Sequence, residues 1–171
     1  MKLRLILCAA VLAVSAGLCS CGSDDSSKSG NSDSAVSEAP LDINSVAQTL
    51  EAKSEDLTKT VMYNDGAFEL NCANLYDCEY SDLTGSFIIY NAGGGKADEI
   101  SVISRKDGDT AAAEKLLKTR SERRYRDFDG YVPEELPKIQ DARIFSVGNY
   151  SVLIISDKAG ELEKAVKDLL K

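Results

Sequence analysis

Two stretches of the sequence repeat one order of strand, turn, strand and helix, and this order constrains the fold most. The first, "GSFIIYNAGGGKADEISVISRKDGDTAAAEKLLK", covers residues 85–118, and the second, "ARIFSVGNYSVLIISDKAGELEKAVKDLLK", covers residues 142–171. Short runs of β-branched and aromatic residues bounded by Gly, Asn and Asp are typical of strands, and Gly148-Asn149 is a two-residue hairpin signal. The pattern predicts a β-β-α unit used twice, with its strands in one antiparallel sheet.

The pattern before these stretches adds a first helix and a further strand. Asp42 is suited to cap a helix whose apolar residues recur at helical spacing, at Ile43, Val46, Ala47 and Leu50. The run "AFEL", residues 67–70, resembles a short strand. We therefore predict an α+β fold for residues 41–171: a single two-layer domain with an antiparallel sheet of about four to five strands packed by about three helices.

The N-terminal residues 1–20 have the organisation of an export signal. Lys2 and Arg4 precede an uncharged apolar run, residues 5–18. As a helix this run would span about 21 Å, which is shorter than the roughly 30 Å hydrocarbon core of a bilayer. An export signal therefore fits the run better than a membrane span does.

The residues "LCSC" at the end of this run resemble the bacterial lipoprotein box. In that motif an aliphatic residue and two small residues precede the cysteine that is lipidated and becomes the first residue after cleavage. Cys21 fits this position because the small Ser20 precedes it, whereas the bulky Leu18 precedes Cys19. We predict a lipid anchor at Cys21; the alternative is a secreted protein cleaved near Ala16 or Ser20.

The residues after Cys21 have the composition of a flexible tether. Residues 22–40 contain seven serines and four acidic residues and almost no side chain that a core could bury. We predict that residues 21–40 hold the domain at the outer face of the cytoplasmic membrane. The whole chain has a net charge of −8, which argues against nucleic acid as a partner.

Two cysteines, Cys72 and Cys78, remain in the predicted domain. An exported protein can form a disulfide, and closing this short loop would stabilise it by about 2 kcal/mol. In a regular helix, however, their Cα atoms would lie about 9 Å apart, beyond the roughly 7 Å limit for a disulfide. Two interpretations therefore remain open for Cys72 and Cys78: a disulfide or two free thiols. We predict no metal site and no cofactor, because two cysteines without any histidine do not complete a tetrahedral zinc site.

The segment "KTRSERRYRDFDGYVPEELPKI", residues 118–139, concentrates basic and aromatic residues. Guanidinium groups suit phosphate and carboxylate, so these side chains form a candidate anion-binding or partner-binding patch: Arg120, Arg123, Arg124, Tyr125 and Tyr131. The alternative is a solvated helix face neutralised by neighbouring acids. Pro133 is expected to begin a short helix, with Glu134 and Glu135 exposed in its first turn.

Several motifs together resemble a known family. The segment "ADEISVISRKDGD", residues 97–109, and the segment "FDGYVPEELPKIQDARIFSVGNYSVLIISD", residues 128–157, are similar to the family called domain of unknown function 4358, found in small bacterial lipoproteins. The most specific features are the Tyr131-Val132-Pro133-Glu134 turn and the Gly148-Asn149-Tyr150 hairpin. The resemblance implies a lipidated extracytoplasmic α+β domain and supplies no catalytic residue.

The functional hypothesis is a non-catalytic binding or accessory module at the cell envelope. The chain has no histidine, the commonest general base, and no recognisable arrangement for nucleophilic catalysis. We expect the membrane to be contacted through Cys21 and the partner to be an envelope protein or an anionic wall polymer. The alternatives are a small-solute receptor component of a transporter and a carboxylate-based hydrolase.

Overall fold

The structure, a computed structural model, describes residues 41–171, so the predicted signal (residues 1–20), Cys21 and the tether lie outside the described residues. The strands are β1 Lys59–Met62, β2 Leu83–Tyr90, β3 Glu99–Arg105, β4 Arg143–Val147 and β5 Tyr150–Ile155. The helices are α1 Ile43–Glu51, α2 Gly66–Asn71, α3 Thr110–Asp129, α4 Leu136–Gln140 and α5 Ala159–Leu169. Shorter elements are a π-helical turn at Cys72–Tyr76 and 3-10 turns at Tyr80–Asp82 and Pro133–Glu135. Within this part of the chain, no helix is both long and apolar enough to cross a bilayer.

The strands form one open antiparallel sheet in the order β1-β2-β3-β5-β4, which confirms the α+β class and the predicted sheet. Side chains alternate between its two faces, as the period of an extended chain requires. Helices α1 and α5 cover the face that contains Phe87, Ile100 and Ile154. Helix α3 and the residues of α2 and α4 cover the face that contains Ile88, Ile103 and Leu153. The domain therefore has three layers rather than two, because β3 and β5 are buried on both faces.

The predicted first helix is confirmed, but the predicted strand at "AFEL" is wrong. Residues 67–70 belong to α2, and the additional strand forms earlier, at β1. The chain turns after β1, and the Asp65 carboxylate in this turn accepts a hydrogen bond from the Met62 amide at 2.8 Å. Phe68 and Cys72, four residues apart, are then both buried on one helical face.

The predicted order of two strands and a helix occurs twice, but the two helices lie on opposite faces of the sheet. Hairpins β2-β3 and β4-β5 lie in the same sheet, and β3 pairs with β5. The second hairpin turns at Gly148, whose φ of 54° lies in the left-handed region that glycine favours. A twofold axis perpendicular to the sheet, between β3 and β5, relates the two hairpins. Such an axis would place the two following helices on the same face of the sheet. Helices α3 and α5 cover opposite faces, so the symmetry does not extend to them.

Candidate functional site

Arg120 lies on the buried side of α3. It follows Leu117 by three residues, so it shares the side of the helix on which Ala113, Leu117 and Phe128 are buried. Its guanidinium makes two hydrogen bonds to the Glu99 carboxylate, at 2.9 and 2.6 Å. The prediction of a surface role for Arg120 is corrected accordingly: its charge is paired inside the protein and is not available to an external anion.

Glu99 is the centre of a fully buried cluster, which we call the Glu99 cluster: Glu99, Arg120, Tyr76 and Ser101. The Glu99 side chain is 0% exposed and accepts hydrogen bonds from the Tyr76 hydroxyl at 3.1 Å and the Ser101 hydroxyl at 2.9 Å. Burial opposes the charge of Glu99, but the Arg120 guanidinium outweighs burial and lowers the pKa of Glu99. Burial and the Glu99 charge raise the pKa of Tyr76. Both oxygens of Glu99 are therefore occupied by protein donors.

Arg124 lies one turn further along α3 and also points inward. Its Nε lies 3.9 Å from the Glu99 carboxylate, and one of its terminal nitrogens donates a hydrogen bond to the Lys96 carbonyl at 3.2 Å. Its guanidinium carbon lies 4.7 Å from the centre of the Phe128 ring. Burial lowers the pKa of Arg124. Contacts within the domain therefore hold this second arginine of the predicted patch.

A second group of charges, which we call the Lys138 cluster, consists of the buried Lys138, Asp98 and Glu135 and the exposed Asp157. The Lys138 ammonium lies 2.7 Å from Asp98, 2.7 Å from Glu135 and 3.3 Å from Asp157. Burial opposes its charge, yet hydrogen bonds to Asp98 and Glu135 raise the pKa of Lys138. The cluster joins α4 to Asp98, just before β3, and to Asp157, two residues after β5.

Glu135 corrects the expectation that both glutamates after Pro133 are exposed. It is buried, and its carboxylate accepts a hydrogen bond from the Ala97 amide at 2.9 Å as well as from Lys138. Only Glu134 is exposed. Pro133 does begin a 3-10 turn that leads into α4, as predicted.

The remaining residues of the predicted patch, Arg123, Tyr125 and Tyr131, make separate contacts. Arg123 donates a hydrogen bond to the Asn74 carbonyl in the π-helical turn. Tyr131 is 69% exposed and contacts Phe128 edge to face, with ring centres 6.5 Å apart. Tyr125 lines an open cleft of about 410 Å³ together with Ser121, Glu122, Arg126, Ile139 and Gln140. The structure therefore engages all three arginines in contacts within the domain and does not present them as one exposed patch.

The two domain cysteines are free thiols that lie close together. Cys72 is buried and Cys78 is half-buried. The Cys78 amide donates a hydrogen bond to the Cys72 carbonyl at 3.2 Å. The predicted separation of their Cα atoms assumed a regular helix. The structure instead has a π-helical turn and then a chain reversal between the two cysteines.

Asp98, Glu99 and Lys138 were not identified from the sequence as interacting residues. The available signal for Glu99 is its place in "EISVIS", where the side chains that share its face, Ser101 and Ile103, are buried with it. An acid on a buried strand face requires a cation. Arg120, on the apolar side of α3, is a suitable one.

Comparison with known proteins identifies the family and nothing more specific. Within residues 41–171, no group of three or more Cys, Asp or Glu residues could hold a metal ion. Neither the curated proteins nor the solved structures include a significant match to the chain. The family model described as Domain of unknown function (DUF4358) matches residues 53–156, from the segment before β1 to the end of β5. Because this match covers more than half of the sequence, the chain belongs to the DUF4358 family.

Proposed function

We propose that the chain is an exported lipoprotein, anchored to the membrane by lipid on Cys21, whose domain binds an envelope protein and catalyses no reaction. The anchor is supported by the "LCSC" motif after an apolar run and by the serine-rich segment that follows it. The absence of catalysis is supported by the occupation of the buried acids and bases, since Glu99 and Lys138 are each saturated by protein partners.

The observation that carries the binding proposal is an exposed tyrosine on a firmly held turn. Tyr131 is 69% exposed, while the residues around it are fixed. Phe128 is buried before it, and Glu135, after it, is hydrogen-bonded to Ala97 and Lys138. A tyrosine on a rigid element loses little conformational entropy on binding, and tyrosine is enriched at the centres of protein interfaces.

The charges near Tyr131 favour a protein partner over an anionic polymer. Two of the three arginines predicted to attract anions face the Glu99 carboxylate inside the domain. The exposed charges on the same segment are mainly acidic: Glu122, Asp127, Asp129 and Glu134, against Lys118 and Arg126. A surface with this balance repels phosphate-bearing polymers and suits a partner with basic and apolar residues.

Affinity capture from membranes with matched variants tests the proposal. The tagged full-length chain, Tyr131→Ala and Leu70→Ala are expressed at equal levels, cross-linked in intact cells and purified from the membrane fraction. Leu70 is the control because it is another exposed apolar residue, 63% exposed, in α2. We expect one protein to be recovered with the wild type and Leu70→Ala, and at least tenfold less of it with Tyr131→Ala.

Two results would contradict the binding proposal. Equal recovery of the same protein with all three chains would exclude Tyr131 as a contact. Recovery of wall polymer, with no protein that depends on Tyr131, would support the anionic-polymer alternative.

A further inference from the structure

The segment from Cys72 to Cys78 reverses direction at a single residue. After the π-helical turn, Asp77 has a φ of 54°, in the left-handed region. The Cys72 carbonyl then accepts hydrogen bonds from the amides of both Asp77 and Cys78. The bond from the Cys78 amide to the Cys72 carbonyl resembles the outer hydrogen bond of a Schellman helix end, but it spans one residue more because the preceding turn is π-helical. In a Schellman end, the two residues joined by this outer bond often have their side chains in contact.

The Cys78 side chain lies beside Cys72, as expected for this kind of helix end. The Cys78 sulfur lies 3.8 Å from the Cys72 carbonyl oxygen, and the two thiols are close enough for each to shift the pKa of the other. Cys72 is 1% exposed. Cys78 lines an open cleft of about 370 Å³, together with Glu69, Ala73, Asp77, Glu79, Tyr80 and Ser81. One thiol is therefore accessible from solvent, and the other lies directly behind it.

We propose that Cys72 and Cys78 are a redox-active pair that forms a disulfide by exchange with an external organic disulfide, with Cys78 reacting first. The inference goes beyond the proposed function and does not depend on it, since it concerns the chemistry of two thiols within the described domain.

The exchange proceeds in two displacement steps. The Cys78 thiolate attacks one sulfur of the external disulfide, forms a mixed disulfide and displaces the other sulfur as a thiolate, which takes up a proton. Cys72 then loses its proton and attacks the Cys78 sulfur, which releases the second external thiolate. Two protein thiols are oxidised to one disulfide, and the external disulfide is reduced to two thiols.

The influence of each thiol on the pKa of the other fits this order of reaction. The Cys72 thiol lowers the pKa of Cys78, although burial and the charges of Asp82 and Asp77 oppose the effect. The Cys78 side chain and burial raise the pKa of Cys72. In the mixed disulfide Cys78 carries no negative charge, so its contribution to the raised pKa of Cys72 is removed while burial remains. The accessible thiol is thus the more acidic one, which is typical of the attacking cysteine of a pair.

The disulfide would close a loop around Tyr76, which belongs to the Glu99 cluster. The Tyr76 hydroxyl lies 2.6 Å from the Ser101 hydroxyl, and the neighbouring Asn74 carbonyl accepts the hydrogen bond from Arg123. Oxidation would therefore restrain the segment that packs against α3.

The test follows one peptide of the full-length chain. Residues 60–96 end in Lys96, follow Lys59 and contain no other lysine or arginine, so trypsin releases Cys72 and Cys78 together and apart from the other cysteines. The reduced protein is mixed with oxidised glutathione, quenched with acid at intervals, alkylated with iodoacetamide and digested. We expect the peptide to lose two hydrogen atoms and to take up no alkyl group.

Two variants test the order of attack. Cys72→Ser should accumulate a stable glutathione adduct on Cys78, because no second thiol is present to displace it. Cys78→Ser should form its adduct on Cys72 at least tenfold more slowly. Double alkylation of the wild-type peptide after prolonged exposure to oxidised glutathione would overturn the disulfide. Equal adduct rates in the two variants would overturn the role of Cys78 as the first nucleophile.

Discussion

Replacing Arg120 by Met should destabilise the domain severely, because it removes the cation that is hydrogen-bonded to the buried Glu99 carboxylate and leaves only Arg124, whose Nε lies 3.9 Å away. Methionine keeps most of the volume of the arginine side chain, so the change tests charge more than packing. Glu99 is 0% exposed and Arg120 is 5% exposed. The carboxylate therefore has almost no access to water that could replace the lost hydrogen bonds.

The magnitude follows from the two hydrogen bonds, at 2.9 and 2.6 Å, that the substitution removes. Breaking a buried ion pair by removing one partner costs about 3–5 kcal/mol. With a urea m value of about 2 kcal/mol/M, the midpoint of unfolding should fall by about 2 M. The chain has seven tyrosines and no tryptophan, so near-ultraviolet circular dichroism and tyrosine fluorescence are suitable probes.

The pH dependence separates charge from packing. Glu99 has a lowered pKa when folded, so its contribution to wild-type stability is present above its unfolded pKa of about 4.3 and is lost as the pH falls through its folded pKa. In Arg120→Met, burial without the two hydrogen bonds from Arg120 should raise the pKa of Glu99, and protonation then relieves the buried charge. The difference between the two proteins should therefore shrink from pH 7 towards pH 4.

Two comparisons decide whether the reasoning is correct. Arg126→Met removes an exposed arginine of the same helix and should change the free energy of unfolding by less than about 0.5 kcal/mol. Glu99→Gln combined with Arg120→Met should be more stable at pH 7 than Arg120→Met alone. A loss below about 1 kcal/mol for Arg120→Met at pH 7, or a loss that does not vary with pH, would refute the assignment of a buried ion pair.

Two further predictions concern the chain reversal at Asp77 and the anchor. Asp77→Val should destabilise the domain by about 1–2 kcal/mol in urea unfolding, because a β-branched residue is strained at a φ of 54°; Asp77→Gly should cause no comparable loss, and equal losses would contradict the strain argument. Cys21→Ser should release the protein from isolated membranes while Cys19→Ser should not, as judged by immunoblotting of the two fractions; the same distribution for both would refute the lipid assignment.

The sheet could be predicted from the sequence because its patterns are local. Residues 100–103 and 152–155 are apolar or small at consecutive positions, and the structure buries them on both faces of central strands. The Gly148 turn was equally local. The strand assigned to "AFEL" failed because four residues do not distinguish a strand from one helical turn.

The arginines could not be assigned from the sequence because their partner is distant along the chain. Arg120 and Glu99 are 21 residues apart, and no spacing rule connects a helix to a strand that it crosses. Arg120 nevertheless lies on the same side of α3 as Leu117, and this spacing indicates from the sequence that its side chain faces the core. The same limit applies to Cys72 and Cys78, whose contact depends on one left-handed residue, Asp77, that propensity alone does not predict.

The buried charges also determine where the proposed contact surface lies. Asp98 and Glu99 are consecutive residues, and each binds a cation from a different helix, Lys138 from α4 and Arg120 from α3. Asp98, just before β3, and Glu99, its first residue, therefore hold α4 and α3 in place. The turn that carries Tyr131 lies between these two helices and is positioned by them. A contact surface fixed in this way depends on residues that no partner touches.

Lys138→Met should therefore impair partner capture although the Lys138 side chain is only 4% exposed. The variant leaves Asp98 without its cation and Glu135 with only Lys96, 3.6 Å away, so the turn after α3 is held less firmly to the residues before β3. We expect at least a tenfold loss in the membrane capture assay, at a temperature where circular dichroism shows the chain to be folded. Lys106→Met, which removes an exposed lysine after β3, should leave capture unchanged. If a folded Lys138→Met chain retains full capture while Tyr131→Ala loses it, the buried cluster does not position the contact surface.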